Sequence, residues 1–223
     1  MILVNRRFAL LGLLTPALAA CGAHSGGQSG GQTAASSGPV PDDMSLGNPS
    51  AKITVVEYAS VACPVCGRWY KEVWPAFKAK YIDTGKIHYT FREMLVGDST
   101  EVTIAASGFL LARCAGKDRY FQVVDAVFKS QPDPNGAAPN QPNLYADPKG
   151  VLTGIAKTFG FSDDQFNACI TDSAALNALQ ARVANNAKIG QVDSTPTFVI
   201  NGKAMDPGYQ PLTALDAAIA AAG

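Results

Sequence analysis

The residues best placed to do chemistry are Cys63 and Cys66, two sulfurs separated by Pro64 and Val65. At that spacing the thiols can close a small disulfide ring and open it again, provided one sulfur is reachable and its thiolate is favoured. The preceding stretch, Lys52-Ile53-Thr54-Val55-Val56-Glu57-Tyr58-Ala59, is rich in β-branched and aromatic residues, and residues 67–80 form a charged, amphipathic run. The implied order is strand, cysteine loop, helix. Cys63 then stands where unpaired helix N–H groups point outward and the positive end of the helix dipole favours a thiolate. Cys63 is therefore the expected nucleophile, with Cys66 as its resolving partner. Six residues ahead of Cys63, the acid Glu57 lies between Val55-Val56 and Tyr58. If buried, it is kept partly neutral by desolvation and can take and return the Cys66 proton. If strand alternation turns it to water, it is an ordinary surface acid. Position alone leaves both open.

The elements that must hold this pair follow from the pattern. Trp69, Tyr70, Val73, Trp74 and Phe77 are the apolar residues of the helix after Cys66, and Pro75 is placed to kink that helix or end its first part. Thr84-Gly85-Lys86 reads as a turn into a second strand, Ile87-His88-Tyr89-Thr90-Phe91, where His88 is structural rather than catalytic. Residues 98–188 read as a block of helices. Asp98-Ser99-Thr100-Glu101 opens the first, which runs to about Gly116, and residues 117–129 form the second, with Tyr120, Phe121, Val124, Val127 and Phe128 in the core. A proline-rich loop over 131–148 leads to helices over 149–159, from the capping box Ser162-Asp163-Asp164-Gln165 through Cys169, and over 173–188. Strand signal returns in Thr197-Phe198-Val199-Ile200. The Asn201-Gly202 turn then favours a hairpin into Lys203-Ala204-Met205, and a helix over 212–221 follows.

The 223 residues, 47% hydrophobic and 16% charged, suffice to bury a core in one domain or in a domain with an insertion. Removing residues 1–20 takes Arg6 and Arg7 from the 18 basic residues and nothing from the 18 acidic ones, leaving a net charge of about −2. A nucleic-acid partner is not favoured. Residues 1–20 place Arg6-Arg7 before an apolar stretch from Phe8 to Leu18 and then small residues, the layout of a secretory signal that is too short to span a membrane as a helix. Two basic residues open most such signals, so a twin-arginine route is not favoured. Leu18-Ala19-Ala20-Cys21 resembles the bacterial lipobox, whose cysteine is acylated and becomes the mature N-terminus. An ordinary signal cleaved near Ala20 is the alternative. The tether expected over 21–45 holds Gly, Ser, Gln, Ala and Pro with hardly any large apolar side chain, and His24 within it is assigned no role. Five cysteines after such a leader fit an oxidising compartment.

Cys63-Pro64-Val65-Cys66 at a helix start, taken with Ser194-Thr195-Pro196-Thr197-Phe198-Val199-Ile200-Asn201-Gly202, resembles the DsbA-like branch of the thioredoxin superfamily over about residues 46–221. The resemblance implies an α/β, thioredoxin-like fold, with one half over 46–97, a helical insertion over 98–188 and the other half over 189–223. It implies a cis Thr195-Pro196 peptide facing the cysteines, with Thr195 presenting backbone groups to an extended substrate strand. A trans turn proline is the alternative. Family members also carry an acid where Glu57 stands. Strongly oxidising members often have histidine between the cysteines where this chain has Val65. With about 1.4 kcal/mol per pKa unit, a less depressed Cys63 thiol and a less oxidising couple are expected here. If Cys21 is acylated and Cys63 pairs with Cys66, then Cys114 and Cys169 remain, each at a helix of the insertion. A structural disulfide between them is expected, and two buried free thiols are the alternative.

The activity implied is donation of the Cys63-Cys66 disulfide to reduced exported proteins in the cell envelope, without cofactor or metal. A membrane redox partner recharges the pair, in a monomer held to the membrane through lipid at Cys21. An envelope reductase or isomerase would use the same sulfurs, kept reduced by a membrane electron donor. The isomerase form usually needs a folded dimerisation domain, which the low-complexity tether does not offer. A metal-binding or metal-delivery module is a different class, but a closed site wants about four ligands and only one cysteine pair is present, with no nearby histidine. An intact pair argues against a redox-inactive scaffold.

Overall fold

Strand β2, Ile53–Ala59, is the centre of a five-stranded sheet. The sheet order is β1 (Met44–Gly47), β3 (Ile87–Glu93), β2, β4 (Thr197–Ile200) and β5 (Lys203–Ala204). β2 and β3 run parallel, while the pairs β1 with β3, β2 with β4 and β4 with β5 are antiparallel. This is a computed structural model, and it describes residues 38, 40–133 and 142–223. The expected signal over 1–20, Cys21 and His24 lie outside the described residues.

Between β2 and β3 lie α1 (Pro64–Glu72), α2 (Trp74–Phe77) and one π-helical turn, Lys78–Ile82. The helix expected over 67–80 is thus two helices and a turn. Pro75 has no N–H to give to the carbonyl one turn back, so the ladder is interrupted around Val73. Helices α3 (Ser99–Cys114), α4 (Lys117–Lys129), α5 (Pro148–Thr158), α6 (Asp163–Thr171) and α7 (Ser173–Gly190) all fall between β3 and β4. Helix α8 (Leu212–Ala222) follows β5. Helices set between two sheet-forming halves is the α/β arrangement that the sequence implies. The two capping boxes, Asp98 with Glu101 and Ser162 with Gln165, are both formed at the helix starts.

Both ends of the first half differ from the pattern, and buried charge is the reason. Strand β1, Met44–Gly47, is one that the sequence pattern does not announce, and its first two residues fall in the tether expected over 21–45, while β3 runs two residues past Phe91. Arg92 and Glu93 look like a strand end, yet both are buried with partners. Arg92 donates to Asp43 at 3.0 Å and to the Tyr58 hydroxyl at 2.7 Å. Glu93 accepts from Arg113 at 2.7 Å, Arg182 at 3.0 Å and Tyr120 at 3.1 Å, so it clamps α3, α7 and α4 to the end of β3.

The core then fixes where α1 lies. Trp69 packs on Phe198 of β4 with ring centres 4.8 Å apart, and Tyr70 stacks on Phe128 of α4 at 4.4 Å. On the other face of the sheet, Val56, Tyr58 and Val199 pack with Met94 and Val192. Gly190 lets α7 approach that face, since a Cβ there would stand 2.5 Å from the Tyr58 ring.

Cys114 at the end of α3 is bonded to Cys169 in α6, with Cα atoms 6.0 Å apart and 55 residues between them. Closing a loop of that length removes denatured-state entropy worth about 4 kcal/mol. The double variant Cys114→Ala/Cys169→Ala should lose up to that amount in urea unfolding of the non-reduced protein. An unchanged unfolding free energy would show that the bond contributes nothing.

Candidate active site

Cys63 is the N-cap of α1, with an extended backbone at φ −78° and ψ 123°. Pro64 takes the first helical position, where a missing N–H is not needed. No side chain caps this helix, and the N–H groups of Val65 and Cys66 are turned to the Cys63 sulfur instead. Both thiols are free, so this is the reduced form. Cys63 is 9% exposed and Cys66 is fully buried.

That difference sets the chemistry. The hydrogen bond from Cys66, opposed by burial and helped by Thr195 and the two N–H groups, holds the Cys63 thiol at about 6 against an ordinary 9.0. Burial, together with the neighbouring Cys63, pushes the Cys66 thiol well above its ordinary value. At neutral pH one sulfur is a thiolate and the other keeps its proton. The Cys63 thiol also reaches the Thr195 carbonyl at 3.5 Å, and the Thr195-Pro196 peptide is cis. Val65 gives the sulfur no side-chain hydrogen bond. At 41% exposure it is the one exposed large hydrophobic among the described residues, two positions from Cys63.

Glu57 is fully buried, because β2 is covered on both faces and alternation does not turn any of its last five residues to water. Tyr89 donates its hydroxyl proton to Glu57 Oε2 at 2.5 Å, and Oε1 has no partner. Burial pushes the carboxyl from 4.5 to about 8, against the Tyr89 bond and with a smaller push from Cys63. It is therefore mostly protonated at neutral pH and within electrostatic reach of Cys63. From sequence, Tyr89 is legible only as a strand residue. The parallel register sets it opposite Val55, two residues from Glu57 on the same face.

The structure thus brings together Glu57, Cys63, Pro64, Val65, Cys66, Thr195 and Pro196. The bonded Cys114 and Cys169 stand apart from them, in the helices between β3 and β4. Two residues of the stretch that reads only as loop, Gln131 and Tyr145, donate hydrogen bonds to the carbonyls around Cys63. Among the described residues, no group of three or more His, Cys, Asp or Glu side chains is arranged to hold a metal, and no helix is long and apolar enough to cross a membrane.

The family model described as thioredoxin matches residues 40–220, most of the chain. The chain belongs to the thioredoxin family. Within it the chain falls in the DsbA-like branch, as its relatives show. A Bacillus anthracis protein named for disulfide bond formation (protein D) is 31% identical over 170 residues, 76% of this chain and 74% of that protein. A Rickettsia bellii protein named as a protein-disulfide oxidoreductase is 34% identical over 161 residues, 72% of this chain and 58% of that protein. The chain therefore spans a little over half the length of that relative. The crystal structure of Wolbachia pipientis alpha-DsbA1 superposes with a TM-score of 0.67 at 28% identity, covering 82% of this chain and 92% of that one.

In this thioredoxin-family site the buried acid makes a pH signature. The Glu57 carboxyl is raised in the folded state, to about 8 from 4.5, so its contribution to stability is complete below about 4.5 and is lost as pH rises through about 8. Glu57→Gln should abolish this loss and leave the reduced protein more stable than wild type at alkaline pH, by on the order of a few kcal/mol. Urea unfolding of both proteins across that range measures it. Parallel pH profiles would mean that Glu57 is ionised in the folded state.

Proposed function

We propose that the chain is a thiol:disulfide oxidoreductase of the bacterial cell envelope that exchanges the Cys63-Cys66 disulfide with exported proteins to form or reshuffle theirs. The observation that carries this reading is the asymmetry of the pair: a sulfur at the helix start, 9% exposed and held at about 6, next to a fully buried one whose proton is tightly kept.

In the oxidised form a substrate thiolate attacks Cys63 Sγ. A bond forms between the substrate sulfur and Cys63, the Cys63-Cys66 bond breaks, and the electron pair leaves on Cys66. Cys66 is buried and cannot stay charged, so it takes a proton, and the neutral carboxyl of Glu57 supplies it. The second thiolate of the substrate then attacks the substrate sulfur of the mixed disulfide. Its disulfide forms, and Cys63 departs as a thiolate, a good leaving group because it is stable at neutral pH. Two electrons have passed from the substrate to the pair, and a membrane redox partner must take them away before the next turnover. The sulfurs carry those electrons themselves, so the reading needs no cofactor. The backbone around Thr195 and the cis Pro196 lies against Cys63 and offers an edge for an extended substrate strand, while Val65 offers it an apolar contact.

Two variants and one measurement on the wild type test the exchange. Cys63→Ser should abolish reoxidation of a reduced, unfolded test protein. Cys66→Ser, whose Cys63 thiolate can attack a disulfide but has no second thiol to resolve the product, should accumulate a mixed disulfide with an oxidised test protein, visible on a non-reducing gel. Thiol trapping in cells should find the wild-type pair oxidised, whereas a wholly reduced pair would turn the reading to a reductase or isomerase.

The same reading places the protein on a membrane through lipid on Cys21, supported by the basic, apolar and small-residue order of residues 1–20 and by Leu18-Ala19-Ala20-Cys21. Cys21→Ser should move the exported protein from the membrane to the soluble fraction. Equal partition of variant and wild type would rule the lipid out.

A further inference from the structure

The carbonyl groups of the turn before α1 are shared between two sources of donors. Ser60 O accepts the Cys63 N–H at 3.1 Å, and Cys63 O accepts the Gly67 N–H at 3.0 Å, so the turn and the helix satisfy the outer two themselves. Val61 and Ala62 lie between them, fully buried, where a carbonyl without a donor is costly. Their donors come from the chain between α4 and α5. Gln131 Nε2 donates to Val61 O at 2.7 Å and lies 3.3 Å from Cys63 O, and Tyr145 donates its hydroxyl proton to Ala62 O at 3.0 Å.

We infer that Gln131 and Tyr145 are positioning residues of the thiol pair: by holding the Val61 and Ala62 carbonyls they fix the turn that aims Cys63 Sγ at the N–H groups of Val65 and Cys66. The seat of Gln131 is built for it. Its amide lies against Gly67 so closely that a Cβ at that position would fall 1.9 Å from Gln131 Oε1, and the Lys71 ammonium donates to the Gln131 main-chain carbonyl. Tyr145 stands within electrostatic reach of both sulfurs. Burial raises its phenol pKa first, and charge on Cys63, Glu101 and Cys66 adds to the shift. Without these two donors the peptide planes before Cys63 can rotate, the N–H groups leave the sulfur, and carbonyl oxygens turn their negative ends into a site built for a thiolate.

The inference rests on the reading of Cys63 as the exchanging thiolate, and its test separates the two. The Cys63 thiolate is titrated by its absorbance near 240 nm, and the pair is equilibrated with glutathione, in wild type, Tyr145→Phe and Gln131→Met. Tyr145→Phe removes one hydroxyl and keeps the ring, and Gln131→Met keeps the side-chain length without the donor. Each variant should raise the thiolate midpoint by about half to one unit and lower the constant for oxidising glutathione by about three- to tenfold. Gly67→Ala, which changes no donor but displaces the Gln131 amide, should shift both in the same direction. If Gln131→Met does not fold, Tyr145→Phe decides. Midpoints and glutathione constants equal to wild type would overturn the inference even if thermal stability falls, since a merely structural role moves only the latter. A wild-type protein with neither a thiolate signal nor exchange with glutathione would overturn the proposed function, and this inference with it.

Discussion

Everything about this site depends on one sulfur standing at the open N-terminus of a helix. The first N–H groups of α1 have no carbonyl one turn back to bond, and no side chain caps them. A negative charge on Cys63 answers both deficits at once, because it accepts those N–H groups and sits at the positive end of the helix dipole. Cys66 is one turn further along the same helix, inside the core, and enjoys neither benefit. Two identical side chains three residues apart are thereby made chemically unlike.

Keeping that sulfur in place requires α1 to be immobile relative to the sheet, and the packing supplies this from two sides. Trp69 locks the helix to β4, and its indole N–H donates to Gln210 O at 2.9 Å in the chain that leads to α8. Tyr70 locks it to α4. Because β4 begins immediately after Pro196, the contact through Trp69 and Phe198 also fixes the cis peptide opposite the sulfur. The helix that begins at Cys63 and the backbone that faces it are thus registered through one aromatic cluster.

The helices between β3 and β4 are more than a lid on the sheet. Glu93 ties three of them to the end of β3 through buried charge, and removing such a partner leaves arginines without a counter-ion, which is why these groups act as a unit. Gln131 and Tyr145 then carry this rigidity to the carbonyls beside Cys63. Burial has the opposite use at Glu57, whose carboxyl has only the Tyr89 hydroxyl for a partner. There the low dielectric favours the neutral acid, so the same physics that strengthens a satisfied ion pair keeps a proton on a carboxyl where satisfaction is incomplete.

By itself the sequence determined the order of strand, thiol loop and helix, the helical block, and the late strand and hairpin, and it singled out Cys63 as the sulfur at a helix start. These follow from local causes: side-chain periodicity, capping residues, and the electrostatics of a helix start. It left Glu57 undecided between water and core, because periodicity cannot tell whether a strand has one covered face or two. That was settled when β2 took the central place in the sheet. Arg92 and Glu93 likewise looked like a strand end, since only their distant partners, Asp43, Arg113 and Arg182, make burial of those charges tolerable. Gln131 and Tyr145 carried no local signal at all, and Tyr89 none beyond that of a strand residue. What each does depends on a hydrogen bond to a group 32 to 83 residues away, and such a bond exists only once the chain has closed on itself.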